Sequence, residues 1–214
     1  QLRRLGEKEA LIARVEARLD AVPQAPPPQG DWAALKPTDY DFLHVEASGA
    51  YEAGHDALIY SKPPEGLGRE PGYLVLTPFR LTTGGVMLIE RGFIPASKAA
   101  DLTALAPPSG DMRLLGHLHA PQTRNMFTPA DEPARLIWYT RDPAAMAAKL
   151  GLATVAPFTL ALDPQAGATG WPRPVPGAPE IVNNHLSYAF TWFSLAAALV
   201  VIFALYARGR LARG

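Results

Sequence analysis

Histidine is the side chain through which this sequence could do metal or redox chemistry, because it contains no cysteine. Without thiols there is no disulfide framework, no thiolate zinc or copper site, no Cys-x-x-Cys-His haem attachment and no thiol nucleophile. The five histidines are His44, His55, His117, His119 and His185. His117 and His119 stand two apart on an expected strand, so they share a face and could chelate a metal. No acid or cysteine nearby in sequence completes such a site, which favours an ordinary solvent-facing pair. His44 and His55 are isolated. His185 follows Asn183-Asn184 at the mouth of a long uncharged segment, where a neutral imidazole could serve as an axial ligand for haem iron. Tyr188 and Trp192 fall on its helical face and suit a flat macrocycle. Position alone favours the plainer alternative, an interfacial histidine facing lipid headgroups behind an asparagine cap.

Catalytic signatures are missing. There is no Gly-x-Ser-x-Gly around any of the six serines and no His-Glu-x-x-His. The carboxylates are plentiful, but their spacing nominates no acid/base pair. Gly66, Gly68 and Gly72 imitate a phosphate-binding fingerprint only superficially, since the third glycine is misplaced and no helix follows. The reading is therefore not an enzyme. With 20 basic and 20 acidic residues the net charge is zero, which argues against a nucleic-acid binder.

The elements that must position these residues follow from the patterning. Residues 1–22 read as an amphipathic juxtamembrane helix with Leu5, Ile12, Val15 and Leu19 on one stripe. Residues 23–38 form a proline-rich linker. Residues 39–171 read as a β-rich domain, a small antiparallel barrel or sandwich with a few helices. Its clearest hairpin runs from Tyr73 through the Thr82–Gly85 turn to Ile94. Further strands are expected at Met112–Ala120, Arg135–Arg141 and Phe158–Asp163. A short helix is expected at Pro143–Leu150, with proline in its first turn and Gly151 beyond its end. Residues 172–184 form a proline-rich strap.

Residues 185–207 read as a transmembrane helix. From Leu186 to Ala207 there are 22 residues with no charge, proline or glycine. They would span roughly 33 Å, against a hydrocarbon core of about 30 Å. Residues 208–214 form a basic tail. The last 29 residues carry three arginines and no acid, while residues 1–185 carry 17 basic against 20 acidic residues. The positive-inside rule then puts the tail in the cytoplasm and the domain outside. Export of that domain calls for a signal or a first transmembrane helix upstream of Gln1.

Several segments resemble one family. Asn183-Asn184-His185-Leu186-x-Tyr188-x-x-x-Trp192-Phe193 resembles the opening of the second membrane helix in the surfeit locus protein one (Shy-one type) family. Glu90-Arg91-Gly92-Phe93-Ile94-Pro95 resembles its Asn-Arg-Gly-aromatic-hydrophobic-Pro segment, with Glu90 in place of the commoner Asn. Gly72-Tyr-Leu-Val-Leu-Thr-Pro78 is similar to its Gly-x-x-Val-x-Thr-Pro strand. Phe127-x-Pro129 with Trp138-Tyr139 matches a later element, and Gln1-x-x-Arg4-Leu5-x-x-Lys8-x-x-Leu11-Ile12 the stretch after the family's first membrane helix.

The matches run in the family's order over nearly the whole chain. The resemblance implies an assembly factor for cytochrome c oxidase that binds haem a and assists its insertion into subunit I. The alternative is a cofactor-free membrane scaffold or chaperone for early subunit I intermediates. It puts the haem ligand at His185, beside Tyr188 and Trp192, with Arg91 as a weaker candidate for a propionate partner. The implied partners are subunit I, haem a synthase and the lipid bilayer. The implied site is a bacterial inner membrane with the domain in the periplasm, or alternatively a mitochondrial inner membrane facing the intermembrane space.

Overall fold

The strands form where side chains alternate or run continuously apolar. In β1 (His44–Tyr51) Val45 and Ala47 turn inward and His44, Glu46 and Ser48 turn outward, the period of two of a half-covered strand. In β4 (Val86–Pro95) all ten residues are buried, as expected of a strand covered on both faces. The computed structural model describes residues 17–19, 21–52, 54–99, 105–164, 170–175, 191–200, 202–203 and 208. These fall into two compact units, one within 15–179 and one within 180–214.

The first unit is a single sheet. Besides β1 and β4 it contains β2 (Ala57–Ser61), β3 (Gly72–Leu81), β5 (Met112–His119), β6 (Ile137–Trp138) and β7 (Val155–Leu162), ordered β1-β5-β7-β4-β3-β2-β6. A further β1–β3 pairing, Gly49↔Leu81 to Tyr51↔Phe79, closes β1, β5, β7, β4 and β3 into a small barrel. Only glycine fits at this seam, since a Cβ on Gly49 would lie 2.0 Å from the Arg80 carbonyl oxygen. All five barrel strands contribute to the interior, through Val45, Phe79, Ile89, Leu118 and Phe158 among others. A fully buried phenylalanine such as Phe79 or Phe158 contributes roughly 1.5–3 kcal/mol.

The expected hairpin is β3–β4, turning on Gly84 and Gly85, both at positive φ. The expected helix is α1 (Pro143–Leu150). The Asp142 side chain accepts from the Ala145 N–H at 3.0 Å, Pro143 sits at the first turn, and Gly151 ends the helix in the left-handed conformation. Met146 and Trp138 fill a second cluster with Ile59, Leu76 and Leu88.

Three expectations about the domain are corrected. The sheet is mixed, because β4–β7 and β2–β6 pair in parallel. Parallel neighbours need a long crossover, and the β4–β7 connection is long enough to hold β5, β6 and α1. The strand expected at Arg135–Arg141 shrinks to Ile137–Trp138, because a 3-10 turn at Pro133–Arg135 leads into Leu136 at φ 56°. Residues 23–38 are seated on the domain. Gln24 bridges to β1 beside Val45, and Trp32 enters the barrel core while its indole N–H donates to the Pro27 carbonyl at 2.9 Å.

The membrane-anchored fold class is also corrected. Among the described residues no helix is long and apolar enough to cross a membrane. Of the 185–207 segment the structure describes residues 191–200 and 202–203, which are helical, and the rest lies outside the described residues. The transmembrane helix expected there is therefore not found among the described residues. The inner-membrane localisation, in either its bacterial or its mitochondrial form, loses the feature on which it rested. What stands is a small mixed β-barrel with a few short helices.

Candidate functional site

On the outer wall of the barrel, β5 carries His117 and His119 on one face while Leu118 between them points into the core. The pair expected to face solvent is largely buried, and each histidine has different partners.

His117 is set opposite His44 by the β1–β5 register, and their rings stack at 4.5 Å with 12° between planes. Asp163 follows directly on β7, held by its N–H to the Leu115 carbonyl at 3.1 Å. Its carboxylate bridges the two rings, with Oδ2 2.9 Å from His44 Nε2 and Oδ1 2.9 Å from His117 Nδ1. The remaining ring nitrogens face backbone carbonyls. His44 Nδ1 lies 2.8 Å from Ala21 O, and His117 Nε2 3.2 Å from Leu19 O. His117 Nδ1, though close to the carboxylate, is off the line of a hydrogen bond and is a buried nitrogen with no hydrogen-bonding partner. The two imidazoles and the carboxylate each offer one donor atom, all within 4.8 Å of one another. Chain spacing could not reveal this, since His44 and Asp163 are 119 residues apart.

His119 faces a cavity of about 410 Å³ lined by Asp41, Glu90, Gln122 and Arg141 among others. Burial, followed by the nearby Arg141 charge, lowers its pKa to about 4, against the weaker raising effects of Glu90 and Asp41. Phe42 meets the ring edge-on at 5.3 Å. Arg141 and Glu90 form a buried ion pair at 2.5 Å, with side chains only 10% and 7% exposed. The Arg141 backbone is tied to Gln122 in both directions, at 3.0 and 2.8 Å. Glu90, noted in sequence only as a departure from the commoner Asn, thus has a definite partner. His55 is exposed.

Arg91 turns to a different environment. The β3–β4 register slips so that Leu76 faces Glu90 and Val75 faces Gly92, leaving Arg91 as the extra residue of a β-bulge. Its guanidinium is buried. It donates to the Leu105 carbonyl at 2.6 Å and approaches Thr77 Oγ1 at 3.5 Å, with the Tyr51 ring 5.9 Å away. Thr77 in turn donates to Asp56. Burial lowers the Arg91 pKa, opposed by Asp56 and Tyr51. It also raises the Tyr51 pKa to about 12, opposed by Arg91. This arginine is engaged inside the fold and offers no support for a propionate contact.

The next residue explains the rest of the motif. Gly92 has φ 130°, and a Cβ there would lie 2.1 Å from the Arg173 carbonyl carbon. The segment 170–175 crosses at that point, exchanging backbone hydrogen bonds between Phe93 and Arg173 at 2.8 and 2.9 Å. The Arg-Gly-aromatic run therefore combines a bulge, a close backbone crossing and a core phenylalanine.

Of the residues nominated for haem, His185 and Tyr188 lie outside the described residues. Trp192 lies in the helical run 191–200 and is 69% exposed.

The SURF1 family model matches residues 1–197. The chain is 32% identical over 214 residues to the SURF1-like protein of Monosiga brevicollis, an alignment covering 92% of this chain and 77% of that one. It is 31% identical over 214 residues to surfeit locus protein 1 of Homo sapiens, covering 92% and 68%. Against the SURF1-like protein of Rickettsia bellii the identity is 27% over 218 residues, covering 100% and 86%. With a family model over nearly its whole length and relatives above 30% identity, the chain belongs to the SURF1 family.

Proposed function

We propose that this chain is an assembly factor for cytochrome c oxidase that binds haem a through His185 and assists its insertion into subunit I. The observation that carries this is the family match over residues 1–197, which takes in both the Glu90–Pro95 strand and the segment beginning at Asn183. Members of the SURF1 family are non-catalytic assembly factors. Imidazole is an ordinary axial ligand for haem iron, and haem a supplies the redox-active iron centre that the oxidase requires. The exposed indole of Trp192 supports an apolar contact with a macrocycle. Arg91 drops out of the proposal, and the propionates need a cation from elsewhere.

A carrier must release its cargo. A single histidine ligand suits that task better than two, since one iron face is left for the recipient. The test is to purify the full chain from cells that make haem a and record its absorption spectrum, wild type beside His185→Ala, with oxidase assembly scored in parallel. The wild type is expected to carry haem a, and the variant to lose both the spectrum and assembly. Colourless wild-type protein, together with full assembly by His185→Ala, would overturn haem binding in favour of a cofactor-free scaffold for subunit I.

A further inference from the structure

We propose that His44, His117 and Asp163 form a binding site for a divalent late first-row transition-metal ion, of which Zn²⁺ is the representative. The site stands independently of haem binding and of His185.

The tautomers carry the inference. A backbone carbonyl can only accept, so Ala21 O and Leu19 O hold the N–H on His44 Nδ1 and His117 Nε2. In the neutral rings the lone pairs are then on His44 Nε2 and His117 Nδ1. Both of these atoms lie 2.9 Å from the oxygens of Asp163. His44 Nε2 is in line with the carboxylate, so a lone pair there repels Asp163 unless something positive lies between, and the His117 Nδ1 lone pair beside it meets no donor. A proton on His44 Nε2 would satisfy that one contact and still leave His117 Nδ1 without a partner, and a second would set two cations stacked at 4.5 Å against one carboxylate. One divalent cation satisfies all three groups with both rings neutral.

The orphaned nitrogen supports the cation. His117 is 9% exposed and its Nδ1 is aimed at the cluster without a hydrogen-bonding partner. A ring N–H donated to a carbonyl is also the ordinary outer support of a metal-binding histidine, since it fixes the ring and its tautomer. Ligands about 2.0–2.1 Å from a tetrahedral ion sit about 3.3 Å apart, and the three donor atoms already lie within 4.8 Å of one another, so closure draws them together by at most about 1.5 Å. The β1–β5 ladder fixes His44 and His117, and the β7 end fixes Asp163.

The donor set defines the ion. Two imidazole nitrogens and one carboxylate oxygen suit zinc and its neighbours, whereas magnesium and calcium prefer six or more oxygens. Three protein ligands leave a position open, unlike the closed four-ligand shell of a structural zinc site. Because the outer carbonyls come from residues 19 and 21, loading would also clamp that segment against β1 and β5.

The experiment titrates the full chain with ZnCl₂ by calorimetry and loads it for X-ray absorption. The expected result is saturable one-to-one binding with two imidazole nitrogens on the metal. His44→Gln, His117→Gln and Asp163→Asn should each weaken binding by about 100-fold or more, His55→Ala should leave it unchanged, and MgCl₂ should not compete. Amide exchange at residues 19–22 should slow on loading. No saturable binding by the wild type, fewer than two imidazoles on the metal, or undiminished binding by folded Asp163→Asn would each overturn the proposal. The absorption measurement uses wild-type protein, so it decides the matter even if a variant fails to fold.

Discussion

Replacing Glu90 by Leu removes one half of an ion pair whose side chains are 7% and 10% exposed. The guanidinium of Arg141 then stays buried without its carboxylate, and its Nε already lacks a hydrogen-bonding partner. Breaking a buried pair in this way costs about 3–5 kcal/mol, because the remaining charge has neither water nor counter-charge. Arg141→Met should cost a similar amount by stranding Glu90. Its backbone bonds to Gln122 survive the change, so the loss reports the charge and not the loop. In the double variant both desolvation penalties vanish, and stability should return to within about 1–2 kcal/mol of wild type. Urea unfolding of the full chain, followed by fluorescence of the buried Trp32 and Trp138, reads this out. With a slope of about 2 kcal/mol/M each single change moves the midpoint by roughly 2 M. The same variants should move His119. Without Arg141 its pKa rises from about 4, and without Glu90 it falls. The reasoning is refuted if either single change costs under about 1 kcal/mol, or if the two losses simply add in the double variant.

Two further outcomes follow from the same wall and its neighbour. His119 has a folded pKa of about 4 against 6.5 unfolded, so the unfolded chain binds the extra proton between those values. Stability relative to His119→Gln should be flat above about pH 6.5 and fall by up to about 3 kcal/mol as the pH drops towards 4, as measured by unfolding at a series of pH values. A titration midpoint for the His119 ring above 6 in NMR would contradict this. Gly92→Ala should cost more than about 2 kcal/mol, since it combines a positive φ with backbone contact at Arg173. Hydrogen exchange at the Phe93 and Arg173 amides should accelerate together, and unchanged exchange there would show that the crossing tolerates a methyl group.

Local signals were legible and long-range ones were not. The helix Pro143–Leu150 could be read to the residue because Asp142, Pro143 and Gly151 act within one turn of their own positions. The β3–β4 hairpin was equally local, its register set by Gly84-Gly85. By contrast, barrel closure at Gly49 depends on Leu81, far along the chain, and parallel pairing of β4 with β7 leaves no mark on either strand. Arg91 stands in the sequence as a candidate propionate partner because a bulge cannot be seen without the partner strand. The histidine cluster was half legible. His117 was recognised as face-sharing, but its companions are His44 across a strand pair and Asp163 at the end of another. Trp32 was hidden in a run of prolines that reads as linker and folds as part of the core.

The order of the sheet bears on how the chain is made. The last of the described strands to be synthesised, β7, lies between β4 and β5, and its N–H and C=O groups complete both. Until residue 162 has left the ribosome, those two neighbours present open edges to whatever is nearby. At roughly 5–20 residues per second the interval between completing β4 and completing β7 lasts several seconds. Any stop before β7 leaves a barrel with a missing stave and two adhesive margins. For this protein the end of the domain is the condition for its beginning to be safe.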